Sequence, residues 1–216
     1  MIPNNIHYVW LGGNELSLLN VSCMKTWSEY NPDFKIKLWD ENNSPIESGY
    51  VKQAIEKKKY AFASDYIRFF ALYNHGGIYL DTDMEVIKPL NALLDCDFFA
   101  GYESNDWINC SIFGAAKGSD VCKEVLNVLD ALGEKDITEF EPIPKILTRV
   151  LNRNDFSDVI NIYDQDVFYP FNPYACEIKQ MLYKDITDNT VAIHHWEKTW
   201  KPTLLERALR RVKSYL

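Results

Sequence analysis

The sequence predicts a single α/β domain, and three observations carry that reading. Strand, helix and strand patterns follow one another within the first 40 residues. Apolar runs end repeatedly at Gly, Pro or Asp turns. Apolar residues make up 47% and aromatic residues 14% of 216 positions, which supplies one core and excludes wholesale disorder. Nine Gly and nine Pro are too few for a fibrous or low-complexity chain.

The elements follow in order. Ile6 to Leu11 is an apolar-aromatic run closed by Gly12-Gly13, a buried strand and a turn. Leu16 to Tyr30 has helical period, with Leu19, Cys23, Met24 and Trp27 on one face, and Asn31-Pro32 stops it. Phe34, Ile36 and Leu38 alternate with Lys35 and Lys37, a half-exposed strand ending at Asp40. Ala61 to His75 predicts a helix capped by Ser64 and stopped by Gly76-Gly77. The strand Ile78-Tyr79-Leu80 runs into Asp81-Thr82-Asp83, and Met84 to Ile87 ends before Pro89. Further strands are expected at 98–102, 112–115, 159–163 and 191–195, and helices near 121–132 and 144–151. There is no internal repeat and no linker that would split the chain.

The charge is −8, so a nucleic-acid binder, which needs a basic surface to release counterions, is disfavoured. The basic residues gather at the end: 198–216 hold six Lys and Arg against Glu206 alone. There Leu204, Leu205, Ala208, Leu209, Val212 and Leu216 share one helical face, giving a basic amphipathic helix over 201–216. It reads as a terminal helix docked on the core or as an interfacial helix on anionic lipid. Five Cys form no C-x-x-C pair, which fits unpaired structural thiols in a reducing cytosol. No apolar run reaches the ~18–20 residues of a spanning helix, and no signal-peptide pattern opens the chain. The expected location is cytoplasmic, with any membrane contact at the inner face.

The sharpest chemical feature is Asp81-Thr82-Asp83. Two carboxylates just past an apolar strand lie where open α/β sheets bind ligands. Placed together they repel, and a hard divalent cation, Mn²⁺ or Mg²⁺, relieves this while leaving positions for phosphate oxygens. The bland alternative is a polar turn. Asp65 and Arg68 share a helical face, as a surface ion pair or as a phosphate fork with its orienting acid. Trp10 beside Gly12-Gly13 suits either core packing or stacking on a base. His194 and His195 point to opposite faces of their strand, so at most one enters a site. Asn109 is a turn residue or a donor to a sugar hydroxyl.

As a set, Ile6 to Gly13, Ala63-Ser64-Asp65-Tyr66-Ile67-Arg68 and Gly76-Gly77-Ile78-Tyr79-Leu80-Asp81-Thr82-Asp83 resemble glycosyltransferase family 32. These are the D-x-D enzymes that include initiating α-1,6-mannosyltransferases and bacterial capsular polysaccharide enzymes. The same blocks are similar to the catalytic domain of clostridial glucosylating toxins. The likeness continues through Ile108-Asn109, Phe113-Gly114-Ala115, Ile146-Leu147-Thr148, Phe168-Tyr169-Pro170 and Ile193-His194-His195-Trp196, almost the whole chain.

The resemblance implies a GT-A fold over 1–200, with a mixed, mostly parallel central sheet flanked by helices. It implies a nucleotide-sugar donor (UDP- or GDP-hexose), a divalent metal, a glycan or lipid-linked acceptor and retention of configuration. By position, Trp10 would stack on the base, while Asp65 and Arg68 hold the sugar and phosphates. Asp81 and Asp83 would be metal ligands; His195 is the candidate third ligand, with spacing leaving the choice between His194 and His195 open. Gly77, Tyr79 and Asn109 would shape the donor pocket. Thr199-Trp200 stands where the family often has Ser-Trp, a departure that keeps the hydroxyl. Rival readings are an aspartate-dependent phosphohydrolase, where Glu85 stands in place of the usual Thr or Val after the motif, and a degenerate sugar-binding scaffold.

Overall fold

The computed structural model describes residues 1–175 and 177–197. Thr199, Trp200, the expected helix over 201–216 and Cys176 lie outside the described residues. In chain order the elements are β1 (Asn5–Val9), α1 (Leu18–Tyr30), β2 (Lys35–Trp39), α2 (Gly49–Glu56), α3 (Tyr60–His75), β3 (Gly77–Leu80), β4 (Met84–Val86), β5 (Phe98–Tyr102), β6 (Ile108–Ala115), α4 (Asp120–Gly133), α5 (Ile143–Arg153), β7 (Ile160–Tyr163), α6 (Gln165–Phe168) and β8 (Ala192–His194).

Six strands form the main sheet in the order β2-β1-β3-β6-β5-β7. The β1–β2, β1–β3 and β5–β7 pairs are parallel, and β6 runs against both its neighbours. The expected mixed, mostly parallel sheet is therefore observed. With only β6 reversed, the ends of β1, β3 and β5 and the start of β6 share one sheet edge. A separate two-stranded ladder pairs β4 with β8, antiparallel, with Met84 opposite His194.

Side chains alternate along β3 and divide the core. Tyr79 joins Phe98, Phe113 and the helices α2 to α5 on one face. Ile78 and Leu80 join Trp27 of α1, the β4–β8 ladder and Phe168 on the other. Phe69 and Phe113 pack with ring centroids 4.6 Å apart. Gly114 lets Phe99 lie flat on β6, because a Cβ there would meet the Phe99 ring at 2.2 Å. Cys23, Cys96, Cys110 and Cys122 are buried free thiols. No described helix is long and apolar enough to cross a membrane.

Three expectations shift. α3 begins at Tyr60, with Lys59 before it, so Ser64 sits inside the helix instead of capping it. Gly49–Glu56 forms a short helix that is not among the elements expected from the sequence; Tyr50, Val51 and Ala54 are its buried positions. β6 extends back to Ile108 and takes in Asn109.

His7 ties the start of the sheet together. Its Nε2–H donates to Gly76 O and its Nδ1 accepts from Trp39 Nε1, both at 3.0 Å. Both ring nitrogens are satisfied only in the neutral form. Burial pushes its pKa down to about 4. The unfolded chain thus binds the extra proton between about pH 6.5 and 4, and stability from His7 is present above that window and lost as pH falls through it. Urea unfolding from pH 7 to 4 should show roughly 2–4 kcal/mol less acid loss in His7→Gln than in the parent chain; equal slopes would show that His7 protonates freely.

Candidate active site

Asp81 and Asp83 flank the turn that leaves β3. Asp81 N–H donates to Ser111 O at 2.7 Å, and Met84 N–H closes the turn on Asp81 O at 3.0 Å. Trp27 Nε1 holds Met84 O at 2.7 Å from α1. The turn is thus fixed from the sheet on one side and from a helix on the other before any ligand arrives.

Arg68 reaches this turn from α3. Its Nη2 lies 3.2 Å from Asp65 and 3.3 Å from Asp81, and its Nη1 donates to Cys110 O at 2.9 Å. Ser64 Oγ accepts from Nη2 at 3.3 Å, and the guanidinium lies over the Tyr79 ring at 4.6 Å. Tyr79 completes the cluster by donating its hydroxyl to Asp81 at 2.7 Å. Asp65 and Arg68 are buried, so this is no surface ion pair. Burial, opposed by Arg68 and reinforced by Asp81, pushes the Asp65 carboxyl up to about 7.

The β4–β8 ladder brings the C-terminal His residues to the same place. His194 Nε2 lies 3.4 Å from Asp83, with both side chains buried. His195 points the other way, and its Nε2 meets Glu85 at 2.7 Å. The histidine that joins the acidic pair is therefore His194, a correction to the His195 expectation: the pairing of Met84 with His194 sets the phase of the strand. Burial alone would push the Asp83 carboxyl up; His194 and the Glu197 backbone N–H, which donates at 2.7 Å, hold it below its usual range.

Asp81, Asp83 and His194 each offer a ligand atom, and these atoms lie within 4.8 Å of one another. His194 Nδ1 is buried without a hydrogen-bond partner among the described residues. Two carboxylates, one of them at the cavity surface, and an under-used imidazole fit a divalent cation.

A cavity of about 780 Å³ opens over this group. Trp10, Tyr79, Arg68, Asp81, Asp83 and Trp196 are in its wall, a size and composition suited to a sugar nucleotide. Trp10 is steadied by its Nε1 bond to Asn14 O at 2.7 Å. Asp65 sits behind Arg68, outside the wall. Gly77 is at the far end of β3, roughly 13 Å of strand from Asp81, and serves packing: a Cβ there would come 2.6 Å from Asn5 O. It does not shape the pocket, contrary to expectation.

Asn109 lies just behind the wall and is fixed in orientation. Its Oδ1 accepts from Ser111 N–H at 2.6 Å and from the Tyr169 hydroxyl at 3.3 Å, and its Nδ2 donates to Glu103. Sequence reasoning missed Glu103 and also Asn20. Asn20 is fully buried in the cavity wall, and its Nδ2 lacks an acceptor among the described residues. The one available signal for Asn20 was the Ser17-x-x-Asn20 spacing, which forms a capping box at the start of α1.

Residues 19–100 match the family described as the glycosyltransferase sugar-binding region containing the DXD motif. Over 110 residues the chain is 36% identical to an uncharacterized glycosyltransferase of Acanthamoeba polyphaga mimivirus, spanning 46% of this chain and 42% of that one. It is 29% identical over 133 residues to inositol phosphoceramide mannosyltransferase 3 of Schizosaccharomyces pombe, spanning 59% and 37%. The aligned region thus spans less than half the length of these relatives. Among solved structures, PaToxG glycosyltransferase superposes with a TM-score of 0.58 at 18% identity, over 70% of this chain and 69% of that one. That likeness is one of fold, and the fold is GT-A.

Titration of the purified chain with Mn²⁺ by calorimetry should separate the two histidines. His194→Ala should weaken binding at least about tenfold, whereas His195→Ala should stay within about twofold of the parent. The reverse order would return the ligand role to His195.

Proposed function

We propose, from the match of residues 19–100 to the glycosyltransferase sugar-binding region containing the DXD motif, that this protein is a metal-dependent, retaining hexosyltransferase acting in surface polysaccharide biosynthesis. It takes a hexose from a UDP- or GDP-sugar and moves it to a hydroxyl of a glycan or lipid-linked acceptor. The observation that carries this reading is the convergence of Asp81, Asp83 and His194 on the floor of a cavity with Trp10 in its wall.

The residues take roles that follow from their placement. Trp10 offers an aromatic face to the base. Arg68 is anchored by Asp65, Ser64 and Cys110 O, so its charge is fixed beside Asp81 and needs no rearrangement as charge moves onto the leaving diphosphate. A divalent cation held by Asp81, Asp83 and His194 would neutralise that diphosphate. Asn20, in the cavity wall, has an Nδ2 with no acceptor among the described residues. In the transfer step the acceptor oxygen bonds to the anomeric carbon on the face the diphosphate leaves, and the departing phosphate oxygen takes the acceptor proton. This front-face course needs no carboxylate nucleophile. The fission-yeast relative's mannosyl transfer to inositol phosphoceramide supports a lipid-linked acceptor at a membrane surface. The basic residues of 201–216 are the proposed contact with anionic lipid.

A panel of UDP- and GDP-hexoses with Mn²⁺, Mg²⁺ or EDTA tests the reading. One donor should give a thermal shift and slow hydrolysis that EDTA removes. Asp83→Ala should lower turnover about 10³-fold or more and Asp81→Asn about 10–100-fold; wild-type rates in both variants, or a trapped sugar adduct on any carboxylate, would overturn the mechanism. In flotation, the full chain should rise with anionic vesicles and a chain ending at Lys201 should not. Equal behaviour would remove the tail from the membrane contact.

A further inference from the structure

The shared sheet edge puts the parts of the cavity in order. Trp10 follows β1, Asp81 follows β3, and Asn109 opens β6, which is next in the sheet. β5 lies beyond, and just past its end Glu103 accepts through its carbonyl from Asn172 Nδ2 at 3.0 Å. That bond ties residues 171–175 to the side of the acidic pair away from Trp10. Tyr174 belongs to this segment, lines the same cavity and is 64% exposed.

Tyr174 is backed by a second aromatic ring. Trp196 lies 5.7 Å away, edge to face at 86°, and its own ring is 4.2 Å from that of His194. Two ring-to-ring steps therefore carry an aromatic wall outward from the acidic pair. Trp196 holds this place at φ +57°, a left-handed conformation that is strained for a bulky residue. Its Nε1 donates to Phe171 O at 2.7 Å, and its neighbours are clamped by His195 N–H to Asp83 O at 3.1 Å and Glu197 N–H to Asp83 Oδ2. With the indole N–H committed to the backbone, what Trp196 gives the wall is aromatic surface. A strained turn that fixes aromatic surface beside a polar centre suits a ligand with an apolar face and a polar rim. A pyranose has both, since its axial C–H bonds meet the negative face of an aromatic ring while its hydroxyls stay in water.

We propose that Tyr174, braced by Trp196, is the acceptor subsite, where a pyranose ring of the acceptor stacks on the side of the acidic pair opposite Trp10. This rests on the glycosyl-transfer reading of the cavity and names its acceptor class: a carbohydrate ring in preference to a bare lipid or peptide hydroxyl. Tyr174 sets which acceptor ring is held, and Trp196 sets where Tyr174 stands.

Saturation-transfer NMR on the full chain with Mn²⁺ tests this with methyl α-mannopyranoside, methyl α-glucopyranoside, methyl β-galactopyranoside and octyl β-glucopyranoside as probes. At least one methyl pyranoside should show saturation of ring protons along one face. Tyr174→Ala should cut that signal at least fivefold, and Tyr174→Phe and Tyr174→Trp should keep it, which also shows that the segment folds around an aromatic residue. Tyr183→Ala removes a tyrosine that is 91% exposed and outside the cavity wall, and should leave the signal unchanged. No saturation from any pyranoside, an unchanged signal in Tyr174→Ala, or equal loss in Tyr174→Phe would overturn the proposal. Saturation confined to the octyl chain would replace it with lipid docking. Failure of the transferase reading shows separately, as absence of metal-dependent donor hydrolysis in the parent chain.

Discussion

A buried guanidinium sets the terms for this structure. Arg68 lies where α3, the end of β3 and the start of β6 meet, and it is bonded to all three. A buried charge of this kind is tolerable only when every donor finds an acceptor, and removing one partner from such a group typically costs about 3–5 kcal/mol. The three elements are therefore held in one relative position. That position puts Asp81 in the cavity wall with its carboxylate already oriented by Arg68 and Tyr79. Asp65, whose carboxyl is pushed up by burial, is the internal member of the cluster; it steadies the arginine and leaves the cavity face to Asp81.

The second half of the site depends on a weaker scaffold. β4 and β8 are three residues each, a length that has little stability alone. They gain it from α1, where Trp27 and Thr26 hold the backbone at Met84 and Val86. The ladder carries His194 to Asp83, and Asp83 in turn accepts from the strained turn at Trp196 through the Glu197 N–H. Among the described residues, local strain, an orphaned imidazole nitrogen and the unpartnered Nδ2 of Asn20 all collect around this one cavity. Such departures from self-sufficiency gather where a ligand is to complete the set.

Much of the fold was legible because it rests on local pattern. α1, α3 and β3 follow from apolar spacing and from the Pro and Gly stops, and the shared face of Asp65 and Arg68 follows from helical geometry. α2 gave only a weak signal: Ser48 stands at its N-cap without a side-chain bond, and eight residues span barely two turns of the Tyr50, Val51, Ala54, Ile55 spacing. Ser64 looked like a cap because its residue type suits one, yet its hydroxyl serves Arg68 and Tyr79 from within the helix. Gly77 looked like part of the pocket because it adjoins the motif in sequence, but strand rise carries it to the opposite end of the sheet. Glu103 carried no local signal, since its link to Asn109 runs between two strands.

The sequence by itself determined the class of fold and the position of the acidic motif at a strand end, because alternation, helical period and turn residues act within a few positions of one another. It also determined that only one of His194 and His195 would face the acids. Tertiary structure decided which one, through the pairing of β4 with β8 across about a hundred residues. It also decided that Arg68 is a buried brace and that Trp196 and Tyr174 form one wall. These are contacts between distant segments, and their phase is set by packing and strand register, which local propensity does not encode.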